Sequence, residues 1–202
     1  MIFVNWINFI SNLNPIQITM IITISGKAGS GKSTIARGLA KKLELKHYSI
    51  GDLMRQLAKE KKMSLNELGK LAERDKSIDL ELDKKQIELR DQDNFVIDGR
   101  LTAHFLPFAD LKVFLDCDDN VRAERILKDN RSDEKSKDIE GLIKKIRQRE
   151  QSERKRYKKL YSIDYYDKKL YDLIIDTTKL SIIQVVEKII RLVTDKHKSK
   201  NL

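Results

Sequence analysis

Gly26-Lys27-Ala28-Gly29-Ser30-Gly31-Lys32-Ser33, entered from Ile21-Ile22-Thr23-Ile24-Ser25, is the stretch that decides the fold. The motif fits G-x-x-x-x-G-K-[ST] without a mismatch. The run before it is apolar on both faces, as a buried parallel strand requires. The segment after it, from about Lys32 to Leu43, has helical spacing. A strand, a glycine turn and a helix in that order point backbone N–H groups and a helix N-terminus at one place, which suits phosphate. Gly26, Gly29 and Gly31 permit the tight turn, and Lys27, Ala28 and Ser30 complete the cradle. Lys32 is expected to reach the β- and γ-phosphates of a nucleotide and the Ser33 hydroxyl to coordinate Mg²⁺. Thr34 is placed to bond the α-phosphate.

Outward from this motif, short β-branched runs alternate with longer helical segments. Strands are expected at His47–Ser49, Phe95–Ile97, Leu111–Leu115 and Leu173–Ile175. Helices are expected over Asp52–Lys61, after a capping box formed by Ser64 and Glu67, after an Asp118 cap, over Ile139–Leu160, and over Ser181–Val193. Residues 131–138 carry no apolar periodicity and read as a mobile loop; Lys196, Lys198 and Lys200 read as a frayed tail. The pattern implies right-handed βαβ units, hence an α/β fold in three α/β/α layers around a five-stranded parallel sheet. Ligands of such sheets sit at the carboxyl ends of the strands, where the polar motifs fall.

Composition narrows the partners. Charged residues at 36% and hydrophobic ones at 40% describe a chain able to bury a core rather than a disordered one. The formal charge of +10 favours acidic partners: nucleotide phosphates, nucleic acid or an anionic surface. One cysteine, Cys117, excludes an internal disulfide and fits a reducing, cytoplasmic setting. His47, His104 and His197 have no metal-ligand spacing, and none reads as a general base. The first 26 residues carry no charge, yet Asn5, Asn8, Asn12, Asn14 and Pro15 interrupt the run, so neither a span nor a signal peptide is expected. Residues 1–19 read as an appendage with Met20 as the native start; an amphipathic anchor is the minority alternative.

Two further elements carry a resemblance. Ser49-Ile50-Gly51-Asp52-Leu53-Met54-Arg55 resembles the S-x-G-[DE]-x-x-R element of nucleoside monophosphate kinases. Asp98-Gly99-Arg100 resembles the D-G-R of cytidylate kinases, whereas Leu101-Thr102 does not supply the D-G-F-P-R of adenylate kinases. From about Met20 to Thr178 the arrangement is similar to cytidylate kinases of archaeal type, within the P-loop NTPases. The resemblance implies a P-loop kinase domain over residues 20–180. Within it would lie a helical monophosphate-binding insertion at about 49–92 and a short lid at about 129–157, followed by a helix and basic tail at 181–202. It implies that Ser49, Gly51, Asp52, Arg55, Asp98 and Arg100 bind the acceptor, Arg55 through its phosphate; from its place at the end of a buried strand near the glycine loop, Asp98 has either that role or a Walker-B-like one.

Arg149, Glu153 and Arg156 lie at i, i+4 and i+7, on one face of a helix. Cytidylate kinases carry arginine, an acid and arginine at this spacing. By that resemblance Arg149 and Arg156 clamp the phosphates alongside Lys32, and Glu153 contacts the base or ribose. Bacterial relatives have Asp at the position of Glu153 and a further arginine at that of Ser152, so Arg147 or Arg154 are alternative contributors. The implied reaction is ATP with CMP or dCMP, using Mg²⁺, in a monomer without a membrane or stable nucleic-acid partner. The alternatives are a monophosphate kinase of AMP or UMP specificity, a small-alcohol kinase, and an RNA-associated P-loop NTPase motivated by the charge.

Overall fold

A computed structural model describes residues 19–129 and 138–200, with side chains to Lys196. The appendage expected before Met20 and the loop expected at 131–138 fall outside the described residues, apart from Thr19 and Asp138. Five strands, β1 (Ile21–Gly26), β2 (Lys46–Ser49), β3 (Phe95–Asp98), β4 (Leu111–Asp116) and β5 (Leu173–Asp176), form one sheet in the order β2-β3-β1-β4-β5. Every pairing is parallel. The α/β fold expected from the sequence is the fold observed.

The period-2 alternation of each strand divides its side chains between two faces. Ile22 and Ile24 of β1, Val96 of β3 and Leu111, Val113 and Leu115 of β4 face one way. They meet helix α1 (Lys32–Leu43) through Ile35, Ala36, Leu39 and Ala40, and a terminal helix, α8 (Ile182–Lys200), through Val185, Val186, Ile189 and Val193. On the opposite face, Ile21, Phe95 and Ile97 pack on Leu106 and Ala109, just after the short helix α5 (Thr102–Phe105). Phe114 on that face packs with Phe105, Tyr157 and Tyr165. Tyrosines 157, 161, 165, 166 and 171 all belong to this cluster, as packing rather than a stacking platform. The α8 helix runs past Val193 to Lys200, so the expected frayed tail is helical. No Gly or Pro follows Ser181 to stop it, and Lys196 donates to the Asp110 carbonyl at 3.2 Å.

Between β2 and β3 stand α2 (Ile50–Glu60), α3 (Leu65–Ala72) and α4 (Ser77–Glu88), which share a separate small core around Met54, Leu57, Leu68 and Leu82. The α2 helix begins two residues before the expected Asp52, because Ser49 serves as its cap and accepts the Asp52 N–H. The Ser64–Glu67 capping box forms in both directions. After β4 come α6 (Asp119–Lys128), capped by Asp118, and α7 (Ile139–Tyr161), capped by Asp138. Among the described residues no helix is long and apolar enough to cross a membrane.

Candidate active site

A cleft of about 780 Å³ lies over the carboxyl ends of the strands and is lined by residues from the glycine loop, α2, α4, β3, α7 and the segment after β5. Gly26 has φ 142°, and a Cβ there would meet the Leu115 carbonyl oxygen at 2.2 Å, so the loop begins pressed against β4. Gly31 has φ 92° and precedes α1 without a side-chain cap. The first N–H groups of α1 therefore have neither an intrahelical carbonyl nor a cap, the condition in which a helix N-terminus takes an anion.

Lys32 Nζ donates to the Lys27 carbonyl at 2.7 Å. Burial, and then the Arg100 guanidinium, lower the pKa of this ammonium well below its usual value, with Asp98, Glu153 and Glu150 acting in the opposite direction. A phosphate entering beside it would favour its charged form. Lys27 itself pairs with Asp116 at 2.7 Å.

Asp98, at the end of β3, is a point of convergence. Ser33 donates to its Oδ2 at 2.7 Å and Ser49 to the same oxygen at 3.2 Å. Ser49 and Asp98 are register partners across β2 and β3, which explains their approach. His47, on the same face of β2 as Ser49, sits with Nε2 2.7 Å from Asp98 Oδ1. The histidines read as scattered along the sequence, and alternation along β2 nonetheless turns His47 toward Asp98.

Arg100 donates to Glu153 Oε2 at 2.7 Å and to the Gly26 carbonyl at 2.8 Å. Arg149 donates to Glu153 Oε1 at 3.0 Å. Burial pushes the Glu153 carboxyl up, but the charges of Arg100 and Arg149 outweigh it and hold the group at about 2. Its pKa is therefore lower folded than unfolded. The stability it contributes is complete above about 4.5 and is lost as pH falls toward 2. Melting curves should show the advantage of the native chain over Glu153→Gln shrinking across that acid window and constant near neutrality. An advantage that shrinks only above pH ~6 would refute this assignment of the carboxyl.

Glu150, one turn earlier on α7, reaches the glycine loop. The Ala28 N–H donates to its Oε1 at 2.9 Å, Arg122 Nη1 donates to the same oxygen at 2.6 Å, and Arg122 Nη1 also donates to the Ala28 carbonyl at 3.1 Å. Both main-chain polar groups of Ala28 are thus held by a buried ion pair. Farther along, Arg125 donates to the Thr177 hydroxyl at 3.0 Å and carbonyl at 2.8 Å, closing the cleft with Leu180, Ser181 and Ile182.

The family model described as the Cytidylate kinase-like family matches residues 21–179. The chain belongs to that family. A protein named cytidylate kinase from Pyrococcus abyssi is 46% identical over 162 residues, covering 80% of this chain and 87% of that one. Its namesake from Methanocaldococcus jannaschii is 45% identical over 164 residues, covering 79% and 89%. Among solved structures, a shikimate kinase from Bacteroides thetaiotaomicron superposes with a TM-score of 0.62 at 17% identity, covering 87% of this chain and 98% of that one. At that identity the likeness speaks to the fold alone.

Within this member of the family, the residues singled out from the sequence distribute unevenly. Ala28, Gly29, Ser30, Gly31, Lys32, Ser33, Thr34, Gly51, Arg55, Asp98, Arg100, Arg149 and Glu153 all line the cleft. Asp52 does not; it is half exposed and pairs with Arg55. Arg156 is buried away from the cleft, with Nε 2.9 Å from Asp79 Oδ2 and Nη1 3.2 Å from the Gly69 carbonyl. Arg147 pairs with Asp119 and Arg154 with Asp164, so neither alternative arginine lines the cleft. Sequence reading also passed over Asp79, Asp83 and Gln86, three buried polar side chains of α4 that line the cleft. Their spacing of i, i+4 and i+7 was the available signal, because polar groups on one helical stripe that turns inward need a reason.

Proposed function

We propose that the chain phosphorylates CMP, and dCMP, with ATP as phosphate donor. The observation that carries this reading is the joint presence, in one cleft, of an uncapped helix N-terminus with Lys32 and a second group of cations, Arg55, Arg100 and Arg149. The first set suits a donor's phosphates, and the second suits an acceptor that also bears a phosphate. The archaeal proteins named cytidylate kinase supply the identity of that acceptor.

In this reading the donor's β- and γ-phosphates lie on residues 26–34, with Lys32 at the transferring group, and the nucleoside extends toward Arg125 and Thr177. Arg55, near Gly51 at the start of α2, holds the acceptor phosphate, assisted by Ser49 and Asp52 through the local cap. Ser33 Oγ and the Asp98 carboxylate, 2.7 Å apart, are hard oxygen donors and fit Mg²⁺. Such an ion neutralises charge on the donor's phosphates when bound. Among the described residues no group of three or more His, Cys, Asp or Glu is placed to hold a metal ion.

A monophosphate oxygen is already a competent nucleophile, so positioning and charge stabilisation suffice for in-line transfer without a covalent enzyme intermediate. Arg149 and Arg100, oriented by Glu153, face the transferring group. Arg156 acts from behind this layer, holding α7 to α4 through Asp79. The helices at about 49–92 form the acceptor side and residues of about 129–157 the lid side. The cytoplasm is the expected setting.

The test is ADP release with Mg-ATP against CMP, dCMP, UMP, AMP and GMP, with a no-acceptor control. Turnover confined to CMP and dCMP is expected. AMP as the best acceptor, or ADP release indifferent to every monophosphate, would overturn the reading.

A further inference from the structure

Helix α4 buries three polar side chains where a core helix would place apolar ones: Asp79 is 3%, Asp83 6% and Gln86 2% exposed. Asp79 is answered by Arg156. Asp83 and Gln86 are arranged differently. Asp83 Oδ2 accepts the Tyr161 hydroxyl, and Asp83 Oδ1 accepts Gln86 Nε2 at 3.2 Å. Gln86 Oε1 is left buried with no hydrogen-bond partner among the described residues. A buried amide oxygen without a donor costs about 1–3 kcal/mol. Gln86 lines the cleft beside Met54, Leu82 and Tyr157, which offer apolar and aromatic surface. Gln86, with its unmet acceptor, therefore stands in the wall of a chamber that suits a flat, partly polar ring.

An amide alone is ambivalent, because turning it by half a rotation exchanges donor and acceptor. Asp83 removes the ambivalence. Both its oxygens already accept, so it holds the Gln86 NH₂ toward itself and leaves the carbonyl oxygen to face another way. Burial pushes the Asp83 carboxyl up to about 6, with the Tyr161 hydroxyl acting against that, so near neutral pH the group is chiefly ionised and accepting. Cytosine and uracil differ at this point: position 4 of cytosine carries an amino donor, and position 4 of uracil an oxygen acceptor. We propose that Gln86, oriented by Asp83, reads the 4-amino group of the acceptor base and so selects cytosine over uracil.

This inference rests on the reading of the chain as a CMP kinase and deepens it. Gln86 is the contacting residue, and Asp83 is a positioning residue. The experiment measures kcat/KM for CMP and for UMP, with saturating ATP, in the native chain, Gln86→Leu and Asp83→Asn, with a melting curve and the KM for ATP of each. Gln86→Leu is expected to lower the CMP-to-UMP ratio by about 10- to 100-fold, since a well-placed base contact discriminates by that much. Asp83→Asn, nearly isosteric, can offer its own NH₂ to Gln86 and let the amide turn. It is expected to lower the same ratio about tenfold or more by raising UMP turnover relative to CMP, with the KM for ATP unchanged. A native ratio retained in folded Asp83→Asn and Gln86→Leu overturns the inference; should Gln86→Leu not fold, a native ratio in Asp83→Asn alone does so. A native chain that turns over another monophosphate but not CMP overturns the underlying reading, and the inference with it.

Discussion

Lys32→Ala is expected to lower turnover by about 10³-fold while the melting temperature stays within a few degrees of the native value. The two halves of this expectation have separate causes. Among the described residues the Lys32 ammonium donates one hydrogen bond, to the Lys27 carbonyl, and its charge is disfavoured by burial and by Arg100. Removing it sacrifices about 1 kcal/mol of hydrogen bonding and relieves a cation that the fold stabilises poorly. In the reaction the same ammonium meets the charge spread over the transferring phosphoryl group, in a site where such contacts count most. Initial rates of CDP formation, with circular dichroism melts on the same preparation, measure both halves. A variant with near-native turnover would remove the loop from the chemistry, and a collapsed melt would make Lys32 a structural residue.

The second large effect belongs to stability. Glu153→Ala is expected to cost about 3–5 kcal/mol, because it removes a buried carboxylate that balances two guanidinium charges inside the fold rather than deleting an exposed ion pair. Arg100 loses a carboxylate at 2.7 Å and Arg149 the same carboxylate at 3.0 Å, and both of these side chains are largely shielded from water. For a chain of this size that loss lowers the melting temperature by about 10 °C. Glu153→Gln retains an acceptor for one arginine and should fall between the two. Melting temperatures of the three proteins at neutral pH decide the matter, and a shift under about 2 °C for Glu153→Ala would show the pairs to be worth no more than surface bridges.

How much of this was legible in the sequence depends on how local the physics is. The sheet was, because Ile21–Gly26 and its counterparts are short apolar runs whose direction is set by the helices that must follow each one. The loop was, because its glycines and Lys32 act within a few residues of one another. The face shared by Arg149 and Glu153 was, through helical spacing. Arg156 has the same spacing yet turns to Asp79, since a helix of 23 residues contacts different neighbours along its length. His47, Glu150 and the Asp83–Gln86 pair escaped notice for a related reason. Each acquires its meaning from a partner brought up by the sheet or by helix packing, and nothing in the neighbouring residues marks it.

The pair that grips Ala28 has a consequence for anyone who would move this loop into another protein. The motif is spelled in consecutive letters, but the peptide at Ala28 is braced by Arg122, 94 positions away, and by Glu150, 122 positions away. A transplant of residues 26–33 alone would carry the spelling and leave the brace behind. The graft would bring its glycines' freedom to collapse as well as their freedom to bind. The smallest portable unit of this loop is therefore discontinuous: the eight residues, together with one arginine and one glutamate from helices that follow β4 in the chain.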